Sequence, residues 1–481
     1  MVSTGCVGPA YHVPRAPVPV AAAYKEAPRG TWKLATPADS IPRGRWWEMF
    51  HEPELDALER RLNIANQTIA QAVENYVAAR AQVRAARASY FPTVTADPSV
   101  TWVRSSGVGA GGAMSSAALG PQVGSGVAGR HVIYTAPIDV SWAPDLFGRV
   151  RYAVRQRQYG AQVSAAELES TRLLAQATLA ETYFQIHAQD TLEDELAATV
   201  KADQQIAELT RLRYAAGIAT EIAVTQAELT LQTARVQATN AGLLRAELEH
   251  AIATLLGIPA TDFTMPRRAL LATPPPTPTG TPSQLLERRP DIAAAERQMA
   301  SANAVIGIGY TAYYPVVTLS GGAGFQSRAL GALFDWPSRV WSLGASVVET
   351  LFDGGLRRAN IDQAIAAYNA SVAGYRQTVL AAFQQVEDEL AATRILAQEV
   401  AEQRTAVELA QKAFELEKAR YEKGLDPYID LALQQTALLA ARQALVTLEA
   451  SQMVAAVSLV EALGGGWDRS ELPAPARMSE R

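Results

Sequence analysis

One stretch of this sequence favours a single, very long helix. Between Gly355 and Tyr421 there is no proline, and Gly374 is the only helix breaker inside the stretch. A helix of about 67 residues would extend roughly 100 Å at 1.5 Å per residue. A seven-residue spacing of core positions along it predicts a left-handed coiled coil. These positions are Val386, Thr393, Val400, Val407, Phe414 and Tyr421.

The same pattern appears 207 residues closer to the N-terminus. The segment "RLRYAAG", which ends at Gly217, aligns with "KARYEKG", which ends at Gly424. A shift that stays constant over some forty residues indicates two structural repeats. The proline-rich stretch from Leu271 to Ser283 lies between them and predicts an extended linker. Subtracting 207 from the heptad positions gives Leu179, Ile186, Glu193, Val200, Ala207 and Tyr214.

Each repeat also contains segments in which apolar and polar residues alternate. From Tyr134 to Trp142 the even positions are apolar or aromatic, and the odd positions are Thr135, Pro137, Asp139 and Ser141. Strands of about ten residues can cross a bilayer when tilted, and they also occur in soluble antiparallel sandwiches with one buried face. Two strands are predicted in each repeat, at about 92–104 and 131–143 in the first and at about 315–326 and 339–350 in the second.

The combination of short strands with long coiled helices favours the membrane interpretation. Four strands cannot close a barrel, and an open sheet edge is not tolerated in lipid. Two copies would supply eight strands, whose barrel is filled by side chains, whereas three copies would supply twelve and leave a passage. We therefore predict a mixed α/β membrane protein that assembles as a homotrimer around a duct. A soluble coiled-coil scaffold would explain the heptads but not the duplicated strands.

Other functional classes receive little support. The net charge of −5 and the scattered Lys and Arg residues do not suggest nucleic-acid binding. No run of eighteen apolar residues occurs, so no membrane-spanning helix is predicted. The glycine-rich segment from Gly107 to Gly112 lacks the Lys-Ser/Thr of a P-loop. The 5 histidines have no metal-ligand spacing, so neither an enzyme nor a metal or cofactor is expected.

Six short motifs carry a resemblance that covers nearly the whole chain. They are "CVGPAY" from Cys6, "WWEMFHEPELDAL" from Trp46, "DLFGRVR" from Asp145, "RPDIAAAERQMASANAVIG" from Arg289, "YYP" from Tyr313 and "LFDGGLRRA" from Leu351. In these motifs the sequence resembles the TolC-like outer-membrane factor family, in particular efflux lipoproteins such as OprM, CusC and NodT. The resemblance implies a trimer with a twelve-stranded outer-membrane barrel, four strands per chain, continued by a helical coiled-coil tunnel through the periplasm of a Gram-negative bacterium.

The same resemblance implies a function and partners. The protein would be the passive exit duct of a tripartite efflux system and would conduct drugs or other small molecules. Its partners would be an inner-membrane pump of the RND type, a periplasmic adaptor (membrane fusion) protein and outer-membrane lipid. A TolC-type duct for protein secretion is the alternative within the family.

The expected organisation follows the two repeats. Cys6 is the single cysteine, and the resemblance implies that it is acylated. The local sequence alone also fits an unmodified thiol, because Ser3 stands where a lipoprotein signal usually has leucine. The expected segments are an extended N-terminal segment with the lipidation site at 1–45, repeat 1 at 46–262, the linker at 263–285, repeat 2 at 286–466 and a C-terminal tail at 467–481.

Glycines and prolines are expected to mark the crossings between strands and helices. Gly148, Gly354 and Gly355 would allow the turn from strand to helix, and Pro92 and Pro315 would mark the crossing from helix to strand. Four arginines follow the glycines, and they fit either lipid headgroups or a solvated first helical turn. These are Arg149, Arg151, Arg357 and Arg358.

A candidate gate lies where "RYEKGLDPYIDLALQQ" turns one helix into the next. Asp426 before Pro427 is typical of a helix N-cap. In the family, the position of Asp430 can carry an aspartate that faces the pore and forms a carboxylate ring by three-fold symmetry. The alternative role for Asp430 is that of a negative charge that stabilises the N-terminus of a helix.

Two further features of this turn come from the resemblance. Leu433 stands where many relatives have a second aspartate, so we expect an apolar constriction by Ile429 or Leu433 beside one Asp430 ring. Tyr421 resembles a family tyrosine that hydrogen-bonds between neighbouring helices in the closed form. Thr220 and Glu221 occupy the matching turn of the first repeat.

Overall fold

Helices make up most of the described chain in this computed structural model. The structure describes residues 11–12, 24–26, 45–104, 130–270, 273–276, 288–467, 470 and 472–474, so the predicted lipidation site at Cys6 lies outside the described residues. The helices of the described part are α1 (Pro53–Ala65), α2 (Gln67–Ala88), α3 (Arg149–Ala215), α4 (Glu221–Leu255), α5 (Pro290–Thr311), α6 (Leu356–Glu422) and α7 (Tyr428–Ala462).

The predicted long helix is confirmed. It is α6, which contains 67 residues, and α3 has the same length. The shorter helices that follow them, α4 and α7, contain 35 residues each. Every start and end of the first pair reappears 207 residues later in the second pair. The 207-residue repeat seen in the sequence is thus also present in the helix boundaries.

The strands form one antiparallel sheet. Their bounds are β1 (Thr93–Ala96), β2 (Ser99–Arg104), β3 (Arg130–Trp142), β4 (Val316–Ser327) and β5 (Arg339–Val348). Both β1 and β2 pair with β3, which pairs with β4, which pairs with β5. The predicted strands at 131–143, 315–326 and 339–350 are confirmed within two residues at each end.

The first predicted strand, at 92–104, is correct in position but interrupted. Pro98 has no N–H to donate to β3, so the ladder breaks between β1 and β2. The register survives the break, because Ala96 lies opposite Ile138 and Ser99 opposite Thr135, three residues further on in each strand. The two pieces are thus one strand with a gap.

The two faces of the sheet differ in chemistry. The register places Ile138, Ala323 and Trp341 side by side on one face. Along the strands that face continues with large apolar residues, whereas the opposite face is rich in Thr, Ser and Gly. The apolar side chains are exposed, and Leu343, for example, is 82% exposed. An apolar face of this extent is uncommon on a protein surrounded by water.

The chain divides into two compact units, and each unit combines segments from both halves of the sequence. The sheet unit includes Ala81–Gln158 and Ala300–Tyr368, and the helical unit includes His12–Arg80, Tyr159–Met299 and Asn369–Arg481. In the sheet unit, Tyr152 packs so closely on Gly307 that a Cβ there would lie 2.5 Å from the tyrosine ring. Glycine is therefore required at this helix contact.

The core of the helical unit is centred on aromatic side chains. A short 3-10 helix, Trp46–Phe50, places Trp46 and Phe50 edge to face at 6.3 Å, and Phe50 contacts Phe184 of α3 at 5.2 Å. The indole N–H of Trp46 donates to Gln176 at 3.3 Å, so its buried polar atom has a partner. Apolar residues of α1, α4 and α7 complete this core.

The beginning of the predicted linker is held on the helical unit. Within residues 263–270, three backbone N–H groups donate to side chains of α3 and α4. They are Met265 to Glu249 at 2.9 Å, Arg268 to Asp190 at 3.0 Å and Leu270 to Thr191 at 2.8 Å. The side chain of Arg245 joins Asp190 and Glu249 by ion pairs of 2.6 Å each. The segment before the prolines is therefore part of the folded unit.

The expectation that no helix could span a membrane needs a correction. In the described part of the chain α7 is long and apolar enough by composition, with a mean hydropathy of 1.4 in its best window. Many core helices pass the same test, and α7 contributes Met453, Val457 and Leu431 to two buried cores. It also carries Arg442, which pairs with Glu195 of α3 at 2.6 Å. These contacts indicate that α7 is a packed helix of the helical unit.

Candidate functional site at the helix turns

Two tight turns connect the long helices to the shorter ones. Each begins with a glycine in the left-handed region, Gly217 with φ of 74° and Gly424 with φ of 73°. The N–H of each glycine and the next N–H donate back to carbonyls of the last helical turn. This arrangement closes a helix C-terminus and favours glycine, which has no Cβ. The next residues, Ile218 and Leu425, are 73% and 67% exposed.

Tyr421 joins α6 to α3 from inside the protein. It is buried, and its hydroxyl lies 2.8 Å from that of Thr210. The Thr210 hydroxyl already donates to the carbonyl of Ile206 at 2.8 Å, so Tyr421 is the donor in the pair. The expected bond between neighbouring helices is thus present at Tyr421. Its ring also meets the ring of Tyr428 edge to face at 6.0 Å.

Arg213 of α3 binds the C-terminal end of α6. Its two terminal nitrogens donate to the carbonyls of Tyr421 and Glu422 at 2.6 Å each. The guanidinium carbon also lies 4.3 Å from the centre of the Tyr421 ring. A cation at a helix C-terminus stabilises carbonyls that lack a partner within the helix and opposes the negative end of the helix dipole.

The expected N-cap role of Asp426 is wrong. Pro427 is the N-cap of α7, and no side chain caps this helix. The carboxylate of Asp426 instead binds the guanidinium of Arg420 through two hydrogen bonds. The Arg420 hydrogen bond holds the pKa of Asp426 below its usual value. The reason is geometric, since the turn brings Arg420, the last basic residue of α6, next to Asp426, which precedes the N-cap of α7.

The remaining gate candidates lie together on α7. Tyr428 and Leu431 face the buried core, whereas Ile429 and Leu433 are exposed. Asp430 is half-buried in the first turn, and its charge acts on Arg420 across the turn. Within α7, Leu433 lies four residues after Ile429 and three after Asp430, so these side chains are neighbours on the helix surface. The structure therefore brings an acidic residue next to two exposed apolar residues.

A buried acid lies behind the turn. Asp203 of α3 is 3% exposed, and one of its carboxylate oxygens has no hydrogen-bond partner among the described residues. Burial raises the pKa of Asp203 to about 6. Its charge acts on Tyr428, whose hydroxyl donates to Thr230 of α4 at 3.3 Å. Desolvation also raises the pKa of Tyr428.

The matching turn of the first repeat has a different chemistry. Thr220 is the N-cap of α4, and its side-chain oxygen accepts a hydrogen bond from the N–H of Ala223 at 3.3 Å. Glu221 lies in the first turn, where a negative charge is favourable. Further along α4, Ala227 and Leu231 pack with Tyr421 in one buried cluster.

The predicted crossing from strand to helix is capped by an aspartate in both halves. Gly148 has φ of 87°, and Gly354 and Gly355 have φ of 63° and 93°. Asp145 accepts the N–H groups at positions 150 and 151 at 3.0 and 2.9 Å. Asp353 accepts the N–H groups of residues 355 and 357 at 2.9 and 3.1 Å. These hydrogen bonds lower the pKa of Asp353, and the bond from Gly355 has the largest effect. Left-handed glycines and acceptor carboxylates thus start both long helices.

The prolines and arginines of these crossings have separate roles. Pro92 and Pro315 immediately precede β1 and β4, as expected for the crossing from helix to strand. Arg357 lies over the ring of Tyr313 at 4.9 Å and pairs with Asp353 at 2.7 Å. Arg149 and Arg358 are exposed, which suits either headgroups or solvent, and Arg151 is partly buried.

Sequence reasoning missed the partners of the predicted residues. Thr210, Arg213 and Asp203 bind or face the second turn, although all three belong to the first half of the chain. The repeat offered one signal, because Arg213 aligns with Arg420 and both precede the aligned tyrosines. Which tyrosine is buried could not be read from the alignment.

Comparison with known proteins places this architecture in a family. The sequence profile of the family described as "Outer membrane efflux protein" matches residues 57–258 and again 281–465. The chain is 32% identical over 463 residues to the antibiotic efflux pump outer membrane protein ArpC of Pseudomonas putida, covering 95% of this chain and 92% of that protein. The toluene efflux pump outer membrane protein TtgC, also from Pseudomonas putida, gives the same identity and coverage.

A solved structure has the same fold. The outer-membrane channel OprN superposes with a TM-score of 0.83 at 27% identity, over 96% of this chain and 99% of that one. The similarity includes both long helices and the sheet, because nearly the whole of each chain is aligned. From the family profile, the relatives and the fold together, the chain belongs to the outer membrane efflux protein family.

Proposed function

We propose that the protein is the outer-membrane channel of a tripartite efflux system, through which small molecules leave the cell passively. The observation that carries this function is the exposed apolar face of the sheet. A continuous apolar surface on strands of about ten residues fits the hydrocarbon core of a bilayer. Membership of the outer membrane efflux protein family supports the same location.

A trimer with a shared barrel is the proposed assembly. Within one chain, β5 and the strand formed by β1 and β2 are the two edges of the sheet. Unpaired backbone groups at an edge are unfavourable in lipid, so the edges must be joined to those of other copies. Three copies contribute twelve strands, taking β1 and β2 as one. The polar Thr and Ser face then lines the passage.

Two internal repeats are proposed to form the helical tunnel. Equal helix lengths at a constant 207-residue offset support a duplication. The same family profile also matches two successive segments of the chain. In a trimer, three copies of each long helix surround the axis and continue the passage into the periplasm.

The second helix turn is proposed as the gate at the periplasmic entrance. Three-fold symmetry would place three Asp430 carboxylates near one another, with Ile429 and Leu433 as the apolar constriction. Close carboxylates repel one another, so cations or protons stabilise the closed arrangement. The bonds from Tyr421 to Thr210 and from Arg213 to Tyr421 hold the second turn against α3 in that state.

The proposed cargo is small and often apolar. The relatives ArpC and TtgC are named for the efflux of antibiotics and of toluene. We propose a similar range for this chain, with the pump selecting the molecule and the channel providing the exit. The proposed partners are an inner-membrane pump of the RND type and a periplasmic adaptor, and acylation of Cys6 would add a lipid anchor.

The first test is the mass of the protein extracted from outer membranes in detergent. Light scattering should give a protein mass near three times 51.5 kDa. The same preparation should form ion-conducting channels in planar bilayers. A monomer that is absent from the membrane fraction would contradict the channel and the shared barrel.

A further inference from the structure

The apolar face of the sheet ends in the same residue pair on two strands. On β2, Trp102 is followed on the same face by Arg104. On β5, Arg339 precedes Trp341 on the same face. Both tryptophans are 76% exposed. Each arginine therefore lies one step on its face, about 7 Å, beyond a tryptophan.

Both pairs lie at the hairpin end of the sheet. This is the end at which β2 leads into β3 and β4 leads into β5, whereas the helices begin at the opposite end. The strand register also assigns both tryptophans to the apolar face, because Trp102 lies opposite Val132 and Trp341 shares a row with Ala323 and Ile138. The two Trp-Arg pairs thus mark one rim of that face.

The positive charge at this rim has no carboxylate partner among the described residues. Arg339 lies over the indole of Trp336 and donates its Nε to the carbonyl of Trp336 at 3.1 Å. By contrast, Arg357 at the helix end pairs with Glu349 and Asp353. The segment between β2 and β3 supplies no negative charge to offset these arginines, because residues 105–129 contain no ionisable side chain.

The charge of this rim is positive, whereas the net charge of the whole chain is negative. The β4–β5 connection contains one acidic residue, Asp335, and one basic residue, Arg328, and it is followed directly by Arg339 of β5. The chain as a whole carries a net charge of −5. A cationic rim on an acidic protein is a local feature that points to an anionic partner.

The position of the rim identifies the chemistry of that partner. Tryptophan prefers the boundary between acyl chains and headgroups, so a residue one step further reaches the headgroup layer. The anionic group in that layer is phosphate. A guanidinium presents donors in a planar fork that matches phosphate oxygens, and it stays charged at any physiological pH.

The two pairs also meet when copies associate. β2 and β5 are opposite edges of the sheet in one chain, so barrel closure places β2 of one copy beside β5 of the next. Arg104 would then lie near Arg339 of the partner subunit. Two guanidinium groups at one junction can bind one phosphate together.

We propose that Arg104 and Arg339, supported by Trp102 and Trp341, bind the phosphate groups of glycolipids in the outer leaflet. The site is completed at each junction between two copies of the chain. This inference rests on the proposed channel in the outer membrane, and it adds a lipid-binding site with named residues.

The test compares lipid binding by detergent-purified full-length protein. The variant R104Q/R339Q removes both charges and keeps similar side-chain length. The control variant R61Q/R376Q removes two exposed arginines of the helical unit. Native mass spectrometry counts bound lipid A with two phosphates, lipid A stripped of phosphate, and lipid A in the presence of inorganic phosphate.

The expected result is a loss of roughly tenfold in affinity for phosphorylated lipid A in R104Q/R339Q, with no loss in the control. Equal binding of both lipids, or equal binding by both variants, would overturn the proposal. So would full displacement of the lipid by millimolar inorganic phosphate, which would indicate a free-anion site.

Two further measurements separate this site from the channel itself. R104Q/R339Q should keep the trimeric mass and the conductance of the wild type, since its substitutions are on the outer face. If wild-type protein binds the lipid but conducts no ions, the proposed channel fails and the lipid site stands. If it conducts ions but R104Q/R339Q binds lipid normally, only the lipid site fails.

Discussion

The hydroxyl of Tyr421 donates to the hydroxyl of Thr210, at 2.8 Å, across 211 residues of sequence. Both side chains are buried, with Thr210 fully inaccessible and Tyr421 4% exposed. The bond ties the end of α6 to α3 immediately before the second turn. Any movement of that turn away from α3 must break it or carry Thr210 along.

Replacing Tyr421 with Phe removes this bond and should loosen the second turn. The expected cost is about 1 kcal/mol, because the buried hydroxyl of Thr210 loses its donor. We expect a higher open-channel probability in planar bilayers. Tyr214→Phe is the matched control, since Tyr214 occupies the aligned position in the first repeat and is 48% exposed. Equal effects of the two substitutions would contradict a special role for Tyr421.

Replacing Asp430 with Ala should raise single-channel conductance if its carboxylates constrict the entrance. Asp426→Ala is the comparison, because the charge of Asp426 is already paired with Arg420. We expect the larger change from Asp430→Ala, and a weaker inhibition by divalent cations for that variant only. Unchanged conductance would leave Asp430 as a favourable charge at the start of α7.

Asp203 should make stability depend on pH. Its folded-state pKa of about 6 lies above the unfolded value of about 4, so folding favours proton uptake in this window. The contribution of Asp203 is therefore most favourable below about pH 4 and is lost as the pH rises through about 6. Asp203→Asn, which keeps the shape and stays neutral, should raise the apparent Tm at pH 8 and change it little at pH 4. An equal shift at both pH values would indicate a cause other than the charge.

Two glycine substitutions should change stability in opposite directions. Gly424→Ala places a Cβ on a residue with φ of 73°, which should cost about 1 kcal/mol. Gly374→Ala lies inside α6, where a Cβ has no neighbour within 4 Å, and should stabilise the helix by about 0.5 to 1 kcal/mol. Thermal unfolding followed by circular dichroism measures both. Loss of stability in both variants would mean that α6 does not tolerate a methyl group at position 374.

The long helices and the strands were accessible from sequence for a clear reason. Their patterns extend over many residues, so that one misplaced position does not change the periodicity. The ends of α6 were predicted well because Gly355 and Gly424, which flank this helix, adopt the positive φ angles that favour glycine. The break at Pro98 was missed because the alternation of apolar residues continues through it.

The candidate site was less accessible, since its contacts join distant segments. Asp426 before Pro427 fits a cap by local rules, but Arg420 lies close enough across the turn to take the carboxylate. The gate residues Asp430, Ile429 and Leu433 came from resemblance, and their position towards a pore stays a prediction. Asp203 gave no local signal, because burial by neighbouring helices cannot be read from one segment.

The contact of Thr210 with Tyr421 has a consequence for the proposed duplication. The position of Thr210 corresponds to Glu417 in the second half. A chain built from two copies of the second half would place the carboxylate of Glu417 where the neutral, fully buried hydroxyl of Thr210 accepts from Tyr421, and burying that charge would cost stability. A duplicated chain can therefore make this contact only when its two halves differ at this position.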